Sequence, residues 1–182
     1  MTAAVSDAAM LAVFERLAIA AGGKIMEFFR SDISVDRKAD ASPVTEADRA
    51  SEILILEGLR AAFPHIPCVA EEEASAGILP EGLGREFFLV DPLDGTREFI
   101  NRNPDFTVNI ALVRDGVPEV GVVFAPASGR AFVGRLGQAQ ALTVTDGGLI
   151  TDRRPIRVRP RPQLPTVVAS RSHRTPETDE FI

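Results

Sequence analysis

The order of its segments predicts an α+β layered sandwich for this chain. Two stretches near the start carry apolar residues at mixed three- and four-residue steps, the period of amphipathic helices. Short β-rich runs bounded by Gly, Asp and Pro then follow one another through the middle of the sequence. No internal repeat or low-complexity tract interrupts that order.

The first helix covers residues 7–29, with Met10, Leu11, Phe14, Leu17, Ile19 and Met26 as its apolar residues, and ends near Ser31-Asp32. A polar stretch spans residues 36–43. Thr45 is then a natural N-cap, with Glu46 and Asp48 as first-turn acids. Ile53, Leu54, Leu56 and Leu59 supply the buried stripe of this second helix, and Pro64 closes it. Residues 67–70 read as a short strand running into Glu71-Glu72-Glu73, and the apolar run 86–90 as a buried strand. Residues 107–113 and 117–124 form a hairpin across Arg114-Asp115-Gly116. Residues 131–133 and 141–144 continue the strand pattern.

Gly147-Gly148 and the basic, proline-rich stretch 153–165 read as an exposed crossing. A new strand is predicted over 166–170. Thr175-Pro176-Glu177 has the cap, the N1 proline and the early acid of a helix start. The chain stops at Phe181-Ile182, two turns into that helix. The expected organisation is therefore one α+β domain over residues 1–160 and the beginning of a truncated second domain over 161–182.

Composition narrows the function classes. The chain has 182 residues, 45% apolar and 25% charged, an ordinary globular balance. Its length allows a real core without a structural staple. Cys68 is the single cysteine, and His65 and His173 lie far apart, so disulfide and zinc patterns are both missing. A reducing cytoplasm is the expected compartment. The net charge is −6, from 26 acids and 20 bases, which argues against a nucleic-acid polymer as partner. Residues 1–10 show no secretory pattern, and no apolar run approaches the roughly 20 residues of a membrane span.

Chemistry concentrates at Asp91-Pro92-Leu93-Asp94-Gly95-Thr96. A buried strand delivers Asp91 at its carboxyl end, where ligands of layered α/β structures bind. Pro92 stiffens the turn and Asp94 returns a second carboxylate to the same side. Gly95 lets an anion approach the backbone. Thr96 opens a short helix over residues 96–101 whose free N–H groups favour phosphate. Carboxylates and phosphate share such a site only if cations bridge them, and magnesium is the cation with that habit. The competing reading is a plain Asp-Gly turn, like Asp115-Gly116.

The same run resembles the signature of the magnesium-dependent, lithium-sensitive inositol monophosphatase superfamily. Pro43-Val44-Thr45-Glu46-Ala47-Asp48 and Val69-Ala70-Glu71-Glu72 match its upstream motifs in order. The resemblance implies a layered α/β/α/β/α sandwich and two or three Mg2+ ions. By that resemblance, Glu71, Asp91 and the Leu93 carbonyl hold one ion, and Asp91 with Asp94 a second. Gly95 and Thr96 hold the substrate phosphate through their backbone N–H groups, beside Leu93, Asp94 and Glu71. Asp48, the Thr96 hydroxyl and Glu71 are the catalytic set, with Asp48 and Thr96 positioning the attacking water. The register within Glu71-Glu72-Glu73 is open, with Glu71 favoured as ligand and Glu73 read as a solvated acid. Lys38 and Asp40 read as surface charges.

Residues 97–100 and 103–110, with Ser170-Arg171-Ser172-His173, resemble the bacterial 3'(2'),5'-bisphosphate nucleotidase branch. That branch removes the 3'-phosphate of adenosine 3',5'-bisphosphate. The alternatives are inositol 1-phosphate and histidinol phosphate. Arg171 or His173 either contacts a second phosphate or is a surface charge. Family members are often homodimers. The family's Trp-Asp-x-Ala-type motif has no counterpart, since the sequence contains no tryptophan. The resemblance therefore also implies a weak second magnesium site, and leaves open a fragment that binds phosphate and metal without turnover.

Overall fold

The computed structural model of the chain describes residues 5–31, 35–37, 43–164, 166–169 and 175–182, without the side chains of 35–37 and 43–45. Its first element, α1, runs Asp7–Arg30 and is capped by Ser6, whose hydroxyl accepts from the Ala9 N–H at 3.3 Å. The short strands β1 (Val35–Arg37) and β2 (Pro43–Thr45) pair with each other and lead into α2, Glu46–Ala62. Helix α2 begins directly after Thr45, as the cap reading requires, though the Thr45 side chain lies outside the described residues.

The remaining strands make one sheet. They are β3 (Cys68–Ala70), β4 (Glu86–Asp94), β5 (Thr107–Arg114), β6 (Val117–Ala125), β7 (Arg130–Arg135), β8 (Gln138–Val144) and β9 (Ile150–Pro155), in that spatial order. Strand β3 pairs parallel to β4; every later pair is antiparallel. Two short helices, α3 (Glu71–Ser75) and α4 (Thr96–Ile100), follow β3 and β4, and α5 (Pro176–Phe181) starts at its Thr175 cap.

Alternation along the strands sends one set of side chains under α1 and α2. Phe88 and Val90 of β4, Val108, Ile110 and Leu112 of β5, and Val122 and Phe124 of β6 are buried there with Phe14, Leu17 and Leu59. Phe14 meets Phe88 edge-on at 5.4 Å between ring centres. The opposite face carries exposed Leu89, Val123 and Phe132. Among the described residues, no helix is long and apolar enough to cross a membrane.

Four expectations need correction. Ile53 is 58% exposed, and Ile55 takes its place in the buried stripe of α2. The basic segment expected as a crossing instead begins within strand β9, because its backbone pairs antiparallel with β8; Arg153 adds bonds to Glu15 of α1 at 2.7 Å and Gln140 of β8 at 2.8 Å. The described part of the strand expected over 166–170 is irregular and exposed, having no sheet neighbour. Strand β4 does not stop at Val90 but continues through Asp91 to Asp94.

Candidate active site at the carboxyl ends of β3 and β4

The parallel register of β3 and β4 places Ala70 beside Val90. Glu71 and Asp91 are the next residues along the chain after that pair, so the two carboxylates stand side by side at this end of the sheet. Glu71 becomes the first residue of α3. Asp91 continues in β4 through a bulge: Asp91 pairs with Asn109 and Asp94 with Thr107, three steps on β4 against two on β5. That extra residue cancels the change of face that three strand steps would bring, so Asp94 follows Asp91 onto the same side. Pro92 and Leu93 are buried beneath the turn.

Gly95 has φ +92°, in the left-handed region, and a Cβ there would sit 2.8 Å from the Asp105 carbonyl oxygen. Only glycine fits that position without strain. The turn delivers Thr96 to the start of α4. Its hydroxyl lies 3.3 Å from Asp48 Oδ2 and 3.1 Å from the Leu93 carbonyl oxygen, within donating distance of either. Asp48 is 1% exposed, in the first turn of α2. The fold therefore gathers Asp48, Glu71, Asp91, Leu93, Asp94, Gly95 and Thr96 at one end of the sheet. Lys38, Asp40, Arg171 and His173 lie outside the described residues.

The electrostatics centre on Asp91. Burial first, then the charges of Glu71 and Asp94, push its carboxyl from the ordinary 3.8 up to about 7. Its Oδ1 atom is buried and has no hydrogen-bond partner among the described residues. Such an oxygen is costly to leave alone and well suited to a cation. Among the described residues, no three His, Cys, Asp or Glu side chains are drawn together as a ready-made metal cage. Magnesium does not require one, because it binds through one or two carboxylates and completes its shell with water and substrate phosphate. The all-oxygen donors and the orphaned Asp91 oxygen fit that ion.

Two nearby residues escaped the reading of the sequence, and a third was misplaced by it. Asn109 donates from Nδ2 to Asp94 Oδ2 at 3.4 Å, and its own Oδ1 accepts from Thr107 Oγ1 at 3.2 Å. Asparagine is depleted in strands, and its place within a β-rich run was the available signal. Glu52 is 4% exposed and accepts the backbone N–H groups of Glu72 at 2.7 Å and Glu73 at 2.9 Å. Burial raises its pKa, and those two donors oppose the rise. Glu52 stands four residues after Asp48, hence on the same helix face, which was its signal. Glu73, expected in solvent, is partly buried and gripped by Arg60 at 2.7 and 2.9 Å.

Comparison with known proteins bears on the fold and the family. The inositol monophosphatase family matches over residues 6–181. The chain is 41% identical to the 3'(2'),5'-bisphosphate nucleotidase CysQ of Salmonella typhimurium and 42% identical to that of Escherichia coli K12. Each match covers 92% of this chain and 65% of the relative, so the chain spans about two thirds of their length. Among solved structures, CysQ from Bacteroides thetaiotaomicron superposes with a TM-score of 0.72 at 31% identity, covering 94% of this chain and 66% of that one. The extragenic suppressor protein suhB from Bartonella henselae gives 0.63 at 31% identity, over 80% of this chain and 52% of its own. With a match that runs almost from end to end and a shared fold, the chain belongs to the inositol monophosphatase family.

Proposed function

We propose that the site belongs to a magnesium-dependent phosphate monoester hydrolase acting on the 3'-phosphate of adenosine 3',5'-bisphosphate. The observation that carries this reading is the orphaned, buried Asp91 oxygen, crowded by Glu71 and Asp94, beside the Thr96–Asp48 pair. Substrate choice is supported by the nucleotidase relatives at 41–42% identity.

In this proposal Glu71, Asp91 and the Leu93 carbonyl would hold one magnesium ion, and Asp91 with Asp94 a second. Bound magnesium supplies charge neutralisation and Lewis acidity beside the phosphate. The chain's own residues do the remaining work. The Thr96 hydroxyl donates to Asp48 and accepts from a water, aiming that water's lone pair at phosphorus. Glu71 holds the same water from the β3 side. Asp48, buried at the helix start, is the acceptor toward which the proton is drawn through Thr96. The Gly95 and Thr96 N–H groups cradle the phosphate oxygens, which the absence of a Cβ at Gly95 allows. Asn109 steadies Asp94. As the P–O bond to this water forms, the P–O bond to the ribose 3'-oxygen breaks, and that oxygen leaves as a hydroxyl with a proton from solvent; no covalent phosphoenzyme is involved.

The proposal places this activity in the cytoplasm and includes homodimerisation and a domain boundary near residue 160, the latter supported by exposure of every described residue over 157–164. The test is phosphate release with magnesium from adenosine 3',5'-bisphosphate, inositol 1-phosphate and histidinol phosphate. The nucleotide is expected to be hydrolysed fastest, and Asp91→Asn to abolish release. Metal binding without turnover of any of the three assigns this chain a binding role instead.

A further inference from the structure

Glu52 is a buried carboxylate for which the proposed chemistry has no use, and both of its oxygens face the first turn of α3. That helix has only five residues, opens on three acids, and is preceded by Ala70, which offers no side-chain cap. A helix so short does not hold itself together. The donors that an N-cap side chain normally satisfies are those of the second and third helical residues. In α3 these are Glu72 and Glu73, and Glu52 satisfies both from another helix.

The rest of the same α2 face supports this role. Arg60, eight residues beyond Glu52, grips the Glu73 carboxylate. Asp48, four residues before it, lies 3.3 Å from the Thr96 hydroxyl. One helix thus touches both sides of the site. We propose that Glu52 is a positioning residue that clamps α3 to α2 and thereby sets where Glu71 stands relative to Asp48 and Asp91. A carboxylate is required because both oxygens accept; glutamine would present an N–H2 group to one of the two backbone donors. The inference rests on the reading of Glu71 and Asp91 as metal ligands.

The test is Mn2+ binding to the 182-residue chain, followed by electron paramagnetic resonance of the free ion, with circular dichroism to check the fold. Glu52→Gln is expected to weaken affinity by about 10- to 100-fold, the usual cost of losing a group that orients a ligand. Glu52→Asp, which keeps two acceptors on a shorter stem, is expected to recover part of that loss. Arg60→Met is expected to weaken binding less than Glu52→Gln, and carries the comparison together with Glu52→Asp if the glutamine variant does not fold. Asp91→Asn separates the two ideas. Unchanged affinity in Asp91→Asn removes the metal reading and this inference with it. Weakened binding in Asp91→Asn, with wild-type affinity in the Glu52 and Arg60 variants, overturns the positioning role alone.

Discussion

At Asp91, burial and two like charges act in the same direction, and the raised carboxyl binds its proton more tightly in the folded than in the unfolded chain. Stability from this group is therefore fully present below the unfolded value near 3.8 and is lost as pH rises through about 7. Thermal melts of the metal-free chain are expected to climb as pH is lowered across that window, and Asp91→Asn to flatten the climb. Magnesium is expected to offset the loss at the alkaline end, because it binds the ionised form. A wild-type melting temperature that stays level over the window removes this account. Asp91, Asp94 and Gly95 were legible in the sequence because an apolar strand before them, two acids about a rigid turn and a hydroxyl after the glycine set the run apart from a plain Asp-Gly turn. Glu52 and Asn109 were not, since each looks like an ordinary polar residue until its partner, distant in sequence, is in view.

Among the elements, β4 and β9 show what local pattern leaves undecided. Apolar periodicity marks β4 only as far as Val90, yet pairing with β5 carries the strand through the bulge to Asp94. Strand β9 carries almost no apolar signal; charges and a terminal proline are the usual dress of an edge strand. Its hold on the sheet comes from β8 and from Arg153, which reaches Glu15 and Gln140. Such a partly exposed pair contributes little to global stability. Arg153→Ala is therefore expected to cost less than about 1 kcal/mol in a denaturant melt while accelerating hydrogen exchange of the β9 amides. Unaltered exchange in β9 would show that the ladder alone secures it. In α2, the exchange of Ile53 for Ile55 has the same origin: helical period permits several stripes, and packing against α1 and β4 selects one.

For the whole molecule, one sheet face is filled by α1 and α2, and the other presents Leu89, Val123 and Phe132 to solvent. Contiguous apolar surface of that kind promotes association. Sedimentation velocity is expected to show concentration-dependent self-association of this chain. Val123→Thr with Phe132→Ser is expected to weaken it by about tenfold, or ~1.4 kcal/mol, with little change in melting temperature. A monomer at every concentration tested would remove the idea. The candidate-site end of the sheet borders this face, since Asp91 and Leu89 point the same way along β4.

The amino-acid sequence alone determined the two long helices, most of the strands, the α+β class and the residues of the signature run. Those features are written in periods of two and 3.6 residues and in turn chemistry, all of them local. Long-range packing, by contrast, lays β3 parallel to β4, turns Asp94 through a bulge to the side of Asp91, and brings Thr96 to Asp48 from 48 positions away. Contacts between distant segments depend on register and packing, which no single segment encodes, and Glu52 owes its role entirely to them.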